Sequence, residues 1–327
     1  MNQCELAKTT IYNISETKNK NSSFFTNKQF CSNCCKQGHM VKQCNDPITS
    51  FGIFCFTLDN KIKCMFTNNI IDTPYYDLDN NYNINISNIL KFNKYNKLIQ
   101  FLLVKRKHSL NYIDFIRGKY NINNTSSIIN MLNHMSRYEI DTIKQGNFST
   151  MWSNLWQKTA NIKIYNNEMV QSNKKFNELK DTNLLDDLIK QASPFATTEW
   201  EIPKGRKDFN ETNIMCAMRE FKEETSFEPT DYTILNCINP IHDSFIGTNS
   251  KEYKHVFYIA MATNTSIKPI NFSNEIEEIK WCYWDEAITL IRPYNENKIK
   301  ILTNIFLFIV NQCEKNIPLQ QNMSWGE

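Results

Sequence analysis

Residues 205–227 read GRKDFNETNIMCAMREFKEETSF, a stretch that predicts a helix with one strongly acidic face. Glu220, Glu223 and Glu224 stand at i, i+3 and i+4, so at about 100° per residue they share one arc of the helix. Apolar side chains such as Met218 and Phe221 project mostly to the other sides and offer a face to a core. Like charges this close repel one another, and divalent cations, which prefer oxygen ligands, would offset the repulsion. The stretch therefore predicts a metal site built from carboxylates.

The residues before the acidic face indicate where this helix begins. We expect the helix to run from about Glu211 to Glu224, with Asp208 as the N-cap because short acidic side chains favour that position. Glu211 lies more than two turns before the acidic residues, so we expect it to support them by pairing with Arg219. The alternative is a solvated acidic face without function, which the charges alone would favour because such faces are common.

The spacing of the whole segment resembles the Nudix box. Gly205 is followed after five residues by Glu211, and after seven more by REFKEE at 219–224. The stretch TEWEIPKGR at 198–206 is similar to the strand that leads into this loop and helix in the family. One position departs, because Ser226 stands where the family usually has a glycine that favours a left-handed helix end. Ser226 is not one of the acidic residues, so we expect activity to be retained.

The resemblance implies hydrolysis of a nucleoside diphosphate linked to another group, and it does not define that group. Glu220, Glu223 and Glu224 would be ligands of Mg²⁺ or Mn²⁺, with Glu224 also a candidate to activate the attacking water. A bound metal lowers the pKa of water and neutralises the leaving diphosphate. The positions that would support this site are Gly205, Glu211 and Arg219.

A later segment, SNEIEEIKW at 273–281, resembles the part of decapping members that adds a carboxylate to the metal site. The match gives Glu275 that role, as a metal ligand that assists Glu220 and Glu224 in catalysis. Glu277 and Glu278 are then expected to be exposed charges of a strand or turn. A shift of register would exchange these assignments.

A cysteine cluster near the N-terminus has the spacing of a zinc knuckle. Cys31, Cys34, His39 and Cys44 follow the pattern C-x2-C-x4-H-x4-C, with Gly38 just before the histidine. Three thiolates and one imidazole suit the closed tetrahedral coordination of structural zinc. Zinc knuckles are modules that bind single-stranded RNA, although some bind protein instead. The side chains predicted to contact phosphates or bases are Lys28, Phe30, Lys36 and Lys42.

Further motifs resemble the mRNA-decapping Nudix hydrolases of large DNA viruses, of the poxvirus and giant-virus type. They are LLVKRKHSLNYIDFIRGKY at 102–120, a helical segment after it, the box and NEIEEIKW. The resemblance implies capped mRNA as the substrate, m7GDP and 5′-monophosphate RNA as products, and the host cytoplasm as the location. No obligate protein partner is inferred.

Aromatic and basic side chains that would contact the cap or the RNA are less well defined. In the decapping family a methylated guanine is stacked between aromatic rings, since its positive charge strengthens stacking. Phe54, Phe56 and Tyr112 are candidates, but each is equally explained as a core residue. Arg117 and Lys119 would meet phosphate or form surface ion pairs. The histidines expected to be structural are His108, His134, His242 and His255.

Two other functions stay open on the sequence alone. One is a Nudix hydrolase of small diphosphates, such as diphosphoinositol polyphosphates or nucleotide sugars. The other is a catalytically idle RNA-binding protein, against which the complete set Glu220, Glu223 and Glu224 argues. The net charge of +3 is too small to indicate a general nucleic-acid binder, so any basic surface must be local.

Periodicity predicts an α/β (α+β) chain with a helical segment between two α/β parts. The resemblance to the Nudix family implies a sandwich with a mixed sheet, in which that segment is a helical insertion and a small knuckle lies at the N-terminus. Eleven cysteines without a signal peptide indicate reduced thiols in a cytoplasmic protein, and the apolar run 305–310 is too short to cross a membrane. Strands are expected at 50–58, 61–66 and 97–105, and a capping box at Ser136 and Glu139. The expected units are a disordered tail at 1–28, the knuckle at 29–46, the core at 47–120 and 193–316, the insertion at 121–192, and a tail at 317–327.

Overall fold

The computed structural model describes residues 31, 33–34, 36–70, 78, 86–156, 163–208, 210–247, 251–267 and 275–315. The tails expected at 1–28 and 317–327 lie outside these residues. The strands of the described part are β1 (Ile48–Leu58), β2 (Ile99–Arg106), β3 (Trp200–Glu201), β4 (Lys204–Gly205), β5 (Tyr232–Ile234), β6 (Ile241–Ile246), β7 (Glu252–Ala262) and β8 (Ile276–Tyr283). Its α-helices are α1 (Asn60–Ile70), α2 (Ile86–Tyr95), α3 (Leu110–Ile116), α4 (Thr125–Asn133), α5 (Arg137–Gln145), α6 (Phe148–Leu155), α7 (Lys163–Asp181), α8 (Leu184–Gln191), α9 (Asn213–Thr225), α10 (Trp284–Leu290) and α11 (Glu296–Glu314).

All these strands belong to one mixed sheet centred on β1. β1 pairs in parallel with β7, from Ile48 opposite Tyr253 to Phe56 opposite Met261, and antiparallel with β2 and β4. β2 also pairs with β3 and β8, while β7 pairs with β5 and β6. Strands from before and after the helical segment therefore share one sheet, as the sequence predicts for a core with an insertion.

Helices cover both faces of the sheet. Ile53 and Cys55 of β1 pack in one cluster with residues of α9, whereas Phe54 and Phe56 pack on the other face with α1, α2, α10 and α11. This alternation follows from the two-residue period of a strand that is buried on both sides. The expected α/β/α sandwich is confirmed. In the part of the chain described above, no helix combines the length and apolarity needed to span a bilayer.

The helical insertion has a hydrophobic core of its own. That core is built from α3 to α8, so the packed unit includes α3 in addition to the residues expected at 121–192. The predicted capping box is confirmed, since Ser136 Oγ accepts from the backbone N–H of Glu139 and the Glu139 carboxylate accepts from the N–H of Ser136 at 2.8 Å. The same buried carboxylate accepts from the N–H of Ser109 at 2.7 Å, and Ser109 is the N-cap of α3. Glu139 therefore joins the beginnings of two helices.

The strand predicted at 61–66 is wrong, because these residues belong to α1. Ile62 and Phe66, four residues apart, are both buried on the same helix face. Asp59 precedes the helix and its carboxylate accepts from the N–H of Lys61 at 2.8 Å. A run of six residues is too short to distinguish the two-residue period of a strand from the period of a helix. Packing against α11 selects the helix.

Candidate active site

The acidic helix predicted from the sequence is α9, and it begins at Asn213, later than the predicted Glu211. Its N-cap is Thr212, whose hydroxyl accepts from the N–H of Met215 at 3.3 Å, so the N-cap assignment of Asp208 is wrong. Asp208 instead donates its N–H to Glu211 at 2.9 Å in the preceding loop. At the other end Ser226 adopts the left-handed conformation (φ 60°) expected from the family's glycine, and its N–H donates to the carbonyl of Lys222.

Arg219 organises the carboxylates of the loop and helix. Its Nε and Nη2 donate to the two oxygens of Glu211 at 2.9 and 3.0 Å, which is the predicted pair. Nη1 donates to Glu220 at 2.7 Å and to Glu223 at 3.3 Å, and Nη2 also donates to the carbonyl of Arg206. Burial raises the pKa of Glu211, but the hydrogen bonds from Arg219 outweigh it and the net shift is downward. The guanidinium thus holds the loop against the acidic face.

Glu220 lies directly against the backbone of the loop. A Cβ on Gly205 would stand 2.0 Å from the carboxyl carbon of Glu220, so a side chain at 205 would displace this carboxylate. Burial raises the pKa of Glu220, Arg219 lowers it, and the negative charges of Glu223 and Glu275 raise it again. The glycine at the head of the segment is therefore required for close approach of backbone and carboxylate.

Glu224 is the most buried carboxylate of the acidic face. One of its oxygens accepts from the backbone N–H of Lys204 at 2.9 Å, which fixes it to β4. Burial is the main cause that raises the pKa of Glu224 to about 8, and the nearby positive charges of Lys204 and Arg106 only partly offset it. A buried carboxylate with a raised pKa is typical of a group that meets a cation or moves a proton.

Glu275, which the sequence predicts as an accessory carboxylate, lies just before β8. It forms an ion pair with Arg106, whose Nη2 stands 3.3 Å from its Oε2. Glu277 and Glu278 instead pair with Lys105, at 3.2 and 2.8 Å. Because the charge of Glu275 acts on Glu220 and Arg106 lies near Glu224, Glu275 is the member of this segment that faces the acidic helix.

The four carboxylates predicted to bind Mg²⁺ or Mn²⁺ face one region but are held apart. Glu220 and Glu223 bind Arg219, Glu224 binds the Lys204 N–H, and Glu275 binds Arg106. Among the described residues, only the Cys/His group brings its ligand atoms within 4.8 Å of one another. The donor set still fits a hard divalent cation, since it consists of carboxylate oxygens. Two of these carboxyl groups, Glu220 and Glu224, have raised pKa values.

Cys31, Cys34, His39 and Cys44 form that compact Cys/His group. The Sγ of Cys34 lies 3.3 Å from Nε2 of His39, and Gly38 takes a positive φ of 103° to turn the chain between them. The arrangement fits tetrahedral zinc. The hydrogen bond from Asn33 is the main cause that lowers the pKa of Cys44 to about 6, which favours the thiolate form that metals bind.

Asn33 attaches the cluster to the sheet. Its Nδ2 donates to Cys44 Sγ at 3.3 Å and to the carbonyl of Pro47 at 2.9 Å, and its Oδ1 accepts from the N–H of Thr49 at 2.9 Å. Thr49 is the second residue of β1, and the neighbouring β4 ends at Gly205. The knuckle is therefore anchored on the strand that pairs with the loop of the acidic site.

The basic residues predicted to contact RNA have differing surroundings. Arg117 pairs with Glu168 at 2.6 Å and Lys119 with Asp114 at 2.6 Å, as the ion-pair alternative predicted. Lys36 pairs with Asp46 at 3.0 Å on the surface of the knuckle. The structure does not describe Lys28, Phe30 or the side chain of Lys42.

The three aromatic candidates for base stacking are core residues. Phe54 and Phe56 are buried under the helices of the second face, and Tyr112 is buried in the insertion. A base could not reach these rings without opening the core. His108 stacks on Tyr112 and His134 packs beside Tyr294, in agreement with structural roles.

Buried charged side chains that the sequence did not predict as site residues lie next to Glu224. Glu201 of β3 pairs with Lys204, and Lys298 of α11 is buried nearby. Burial raises the pKa of Glu201, but Lys204, Lys298 and Arg106 together hold it well below its usual range. Asp243 and His255, on β6 and β7, also lie within this buried set. The available signal was the pair of opposite charges in EIPK at 201–204, on either side of Ile202 and Pro203.

The chain is similar in sequence to several known proteins. A family model described as NUDIX domain matches residues 186–305. A protein of Acanthamoeba polyphaga mimivirus, provisionally named an mRNA-decapping protein, is 35% identical and aligns over 90% of this chain and 98% of its own length. An mRNA-decapping protein of African swine fever virus is 32% identical, over 68% of this chain and 93% of its own length. The m7GpppN-mRNA hydrolase of Saccharomyces cerevisiae is 34% identical over 84 residues, which are 25% of this chain and 8% of that protein.

Proposed function

This chain belongs to the Nudix family that includes the viral mRNA-decapping proteins, and from that premise we propose that it hydrolyses the 5′ cap of mRNA. The products are m7GDP and RNA with a 5′-monophosphate. The observation that carries the proposal is the relation to the mimivirus protein, which covers 90% of this chain, together with an acidic helix that is complete. Because capped mRNA is found there, the host cytoplasm is the proposed location.

The side chains of α9 divide the work of this reaction. Glu220, Glu223 and Glu224, with Glu275 opposite, would hold Mg²⁺ or Mn²⁺, which supply positive charge to the phosphates and lower the pKa of water. Glu224 is held by the Lys204 N–H with its carboxylate buried, so it is oriented to take a proton from the attacking water. Arg219 keeps Glu220 and the loop in place and stays out of the reaction itself.

The knuckle supports the choice of a long RNA as the substrate. With zinc bound by Cys31, Cys34, His39 and Cys44, a segment too short to build its own core is ordered. Asn33 then fixes this segment to β1, so RNA held by the knuckle stays close to the acidic site. The basic and aromatic side chains of the knuckle would contact phosphates and unstacked bases. This module is unnecessary for a free nucleotide.

Incubation of the protein with cap-labelled RNA and Mg²⁺ or Mn²⁺ tests the proposal. We expect labelled m7GDP to be released, and RNA with a 5′-monophosphate to accumulate in equal amount. Free cap analogue and diphosphoinositol polyphosphates serve as competing substrates. Faster turnover of these small diphosphates would contradict cap hydrolysis as the function. RNA binding without any turnover would indicate an idle RNA-binding protein.

A further inference from the structure

Arg106 ends β2 at the point where the pairing with β8 changes register. The shift falls between Lys105 and Arg106, and beyond it Arg106 stands opposite Ile276. The backbone N–H of Arg106 donates to the carbonyl of Glu199 at 2.9 Å, and its own carbonyl accepts from the hydroxyl of Thr198. The main chain is thus held rigidly on the side of β3. The side chain, which is only 12% exposed, enters the region between β3 and the acidic helix.

The surroundings of this guanidinium are carboxylates of the proposed reaction centre. Negative charges of Glu201, Glu275 and Glu224 act on it, although burial opposes its charged form most strongly. Glu201 already has an ion pair with Lys204. Arg106 itself forms an ion pair with Glu275, whose side chain is 69% exposed. The Nε of Arg106 is buried and has no hydrogen-bond partner among the described residues.

A structural role does not account for these features. An ion pair with a largely exposed carboxylate contributes little to stability, whereas burial of a guanidinium is unfavourable unless its donors are satisfied. Lys105, the preceding residue, shows the ordinary arrangement, because its ammonium is shared between Glu277 and Glu278 at the surface. Arg106 is instead directed inward with a donor left unpaired.

Binding of divalent cations would change the partners of Arg106. If Glu275 and Glu224 become metal ligands, their negative charge is neutralised and the guanidinium then faces like charges. An anion placed between the cations and Arg106 removes this conflict. The phosphate chain of the substrate is such an anion, and the planar guanidinium can donate to two phosphate oxygens at once.

We propose that Arg106 is a catalytic residue that binds the phosphate chain of the substrate through Nε and a terminal nitrogen. This inference rests on the proposed function. In the ground state the two donors orient the chain across the acidic helix. As water attacks one phosphorus and the bond to the leaving diphosphate breaks, the electron pair passes to a diphosphate oxygen. Arg106 donates hydrogen bonds to the oxygens on which that charge develops.

The test compares Arg106→Gln and Arg106→Lys with the matched control Lys105→Gln in the full-length protein. We expect kcat on capped RNA to fall by about 100-fold in Arg106→Gln, as when one transition-state donor is removed. Arg106→Lys should recover only part of the loss, because an ammonium cannot donate in a plane to two oxygens. Lys105→Gln should keep the wild-type rate. An Arg106→Gln variant that turns over within about threefold of wild type would overturn the inference.

Two binding measurements separate phosphate contact from mere positioning of Glu275. In the presence of Mn²⁺, inorganic pyrophosphate should bind Arg106→Gln at least about tenfold more weakly than wild type. This is the change in affinity expected when one contact with a phosphate is lost. The increase in melting temperature caused by Mn²⁺ alone should be at least as large in Arg106→Gln as in wild type, because no guanidinium then faces the bound cations. Loss of that Mn²⁺ effect would mean that Arg106 positions Glu275, and unchanged pyrophosphate affinity would also overturn the inference. If Arg106→Gln does not fold, the same measurements on Arg106→Lys decide.

The inference and the proposed function can fail separately. If the wild-type protein does not hydrolyse capped RNA, the proposed function is wrong, yet the pyrophosphate titration still tests the role of Arg106. If wild type releases m7GDP and the Arg106 variants do so equally well, only the inference fails.

Discussion

Glu224 combines burial, a backbone hydrogen bond and a place on the acidic face. Its carboxylate is held by the N–H of Lys204, and its pKa is raised to about 8, mainly by burial. Glu220 and Glu223 are in contrast held by the side chain of Arg219. The three carboxylates therefore differ in their surroundings, although they share one face of the helix.

Glu224→Gln is expected to reduce cap hydrolysis by at least about 1,000-fold, because the amide can neither hold the cation's charge nor accept a proton. The fold should be kept, since an amide replaces a carboxylate of the same size. The measurement is m7GDP release under single-turnover conditions, with circular dichroism as the control for folding. Turnover near the wild-type rate would show that another group activates the water.

Glu275→Gln is expected to slow the reaction by a smaller factor, about 10- to 100-fold, because it removes one accessory ligand and the acidic helix stays intact. The matched control is Glu277→Gln, since Glu277 is an exposed carboxylate that pairs with Lys105. Its rate should stay within about twofold of wild type, as is usual for a surface substitution. If Glu277→Gln is the more damaging change, the accessory carboxylate has been assigned in the wrong register.

The end of α9 is strained at Ser226. A residue other than glycine in the left-handed conformation is disfavoured by contact of its Cβ with the backbone, and φ is 60° here. Ser226→Gly is therefore expected to raise the free energy of unfolding by roughly 0.5–1 kcal/mol, after the greater freedom of glycine in the unfolded chain is counted. Urea denaturation measures the difference. Ser226→Ala, which keeps the strain, should not be stabilised, and equal gains in both variants would exclude backbone strain as the cause.

The insertion depends on one buried carboxylate at the beginnings of two helices. Glu139 accepts from the N–H of Ser136 at α5 and from the N–H of Ser109 at α3. Glu139→Ala leaves both donors buried without a partner, so we expect a loss of roughly 2–4 kcal/mol in the free energy of unfolding. Glu139→Gln, which retains one acceptor oxygen, should lose less. Hydrogen exchange should show faster exchange in α3 and α5 together, and an effect confined to α5 would contradict the double capping role.

The knuckle and the hydrolase core are joined through Asn33 and β1, but they fold for different reasons. The core has two hydrophobic layers on its sheet, whereas the knuckle is organised around four metal ligands. Loss of zinc ligation should therefore affect the knuckle alone.

Replacement of Cys31 and Cys34 by Ser should weaken binding of long capped RNA by about tenfold or more, while the rate at saturation changes little. Uncapped RNA should also compete less well than with the intact protein. The measurement is a titration with capped RNA at fixed salt, because phosphate contacts depend on salt. Cys64→Ser, a change of an exposed cysteine on α1, is the control. An unchanged RNA affinity in the double variant would mean that the knuckle binds another partner, such as a protein.

Features that depend on spacing along one short segment could be predicted from the sequence. The acidic face of α9, the pair of Glu211 and Arg219, and the capping box at Ser136 lie within a few turns of one helix or loop. The Cys/His group is likewise local, since its ligands fall within 14 residues of the chain, from Cys31 to Cys44. Helical periodicity and ligand spacing are properties of the local sequence, so these features can be predicted without knowledge of distant residues.

The contacts between groups that are distant in sequence became known from the folded chain alone. Arg106 and Glu275 are 169 residues apart, and the parallel pairing of β1 with β7 joins segments about 200 residues apart. Whether α1 is a helix or a strand also depended on its packing against α11. Burial excluded Phe54 and Phe56 from cap binding, although the sequence left both as candidates. In each case the deciding quantity is the environment that the folded chain provides, which no local pattern of residues contains.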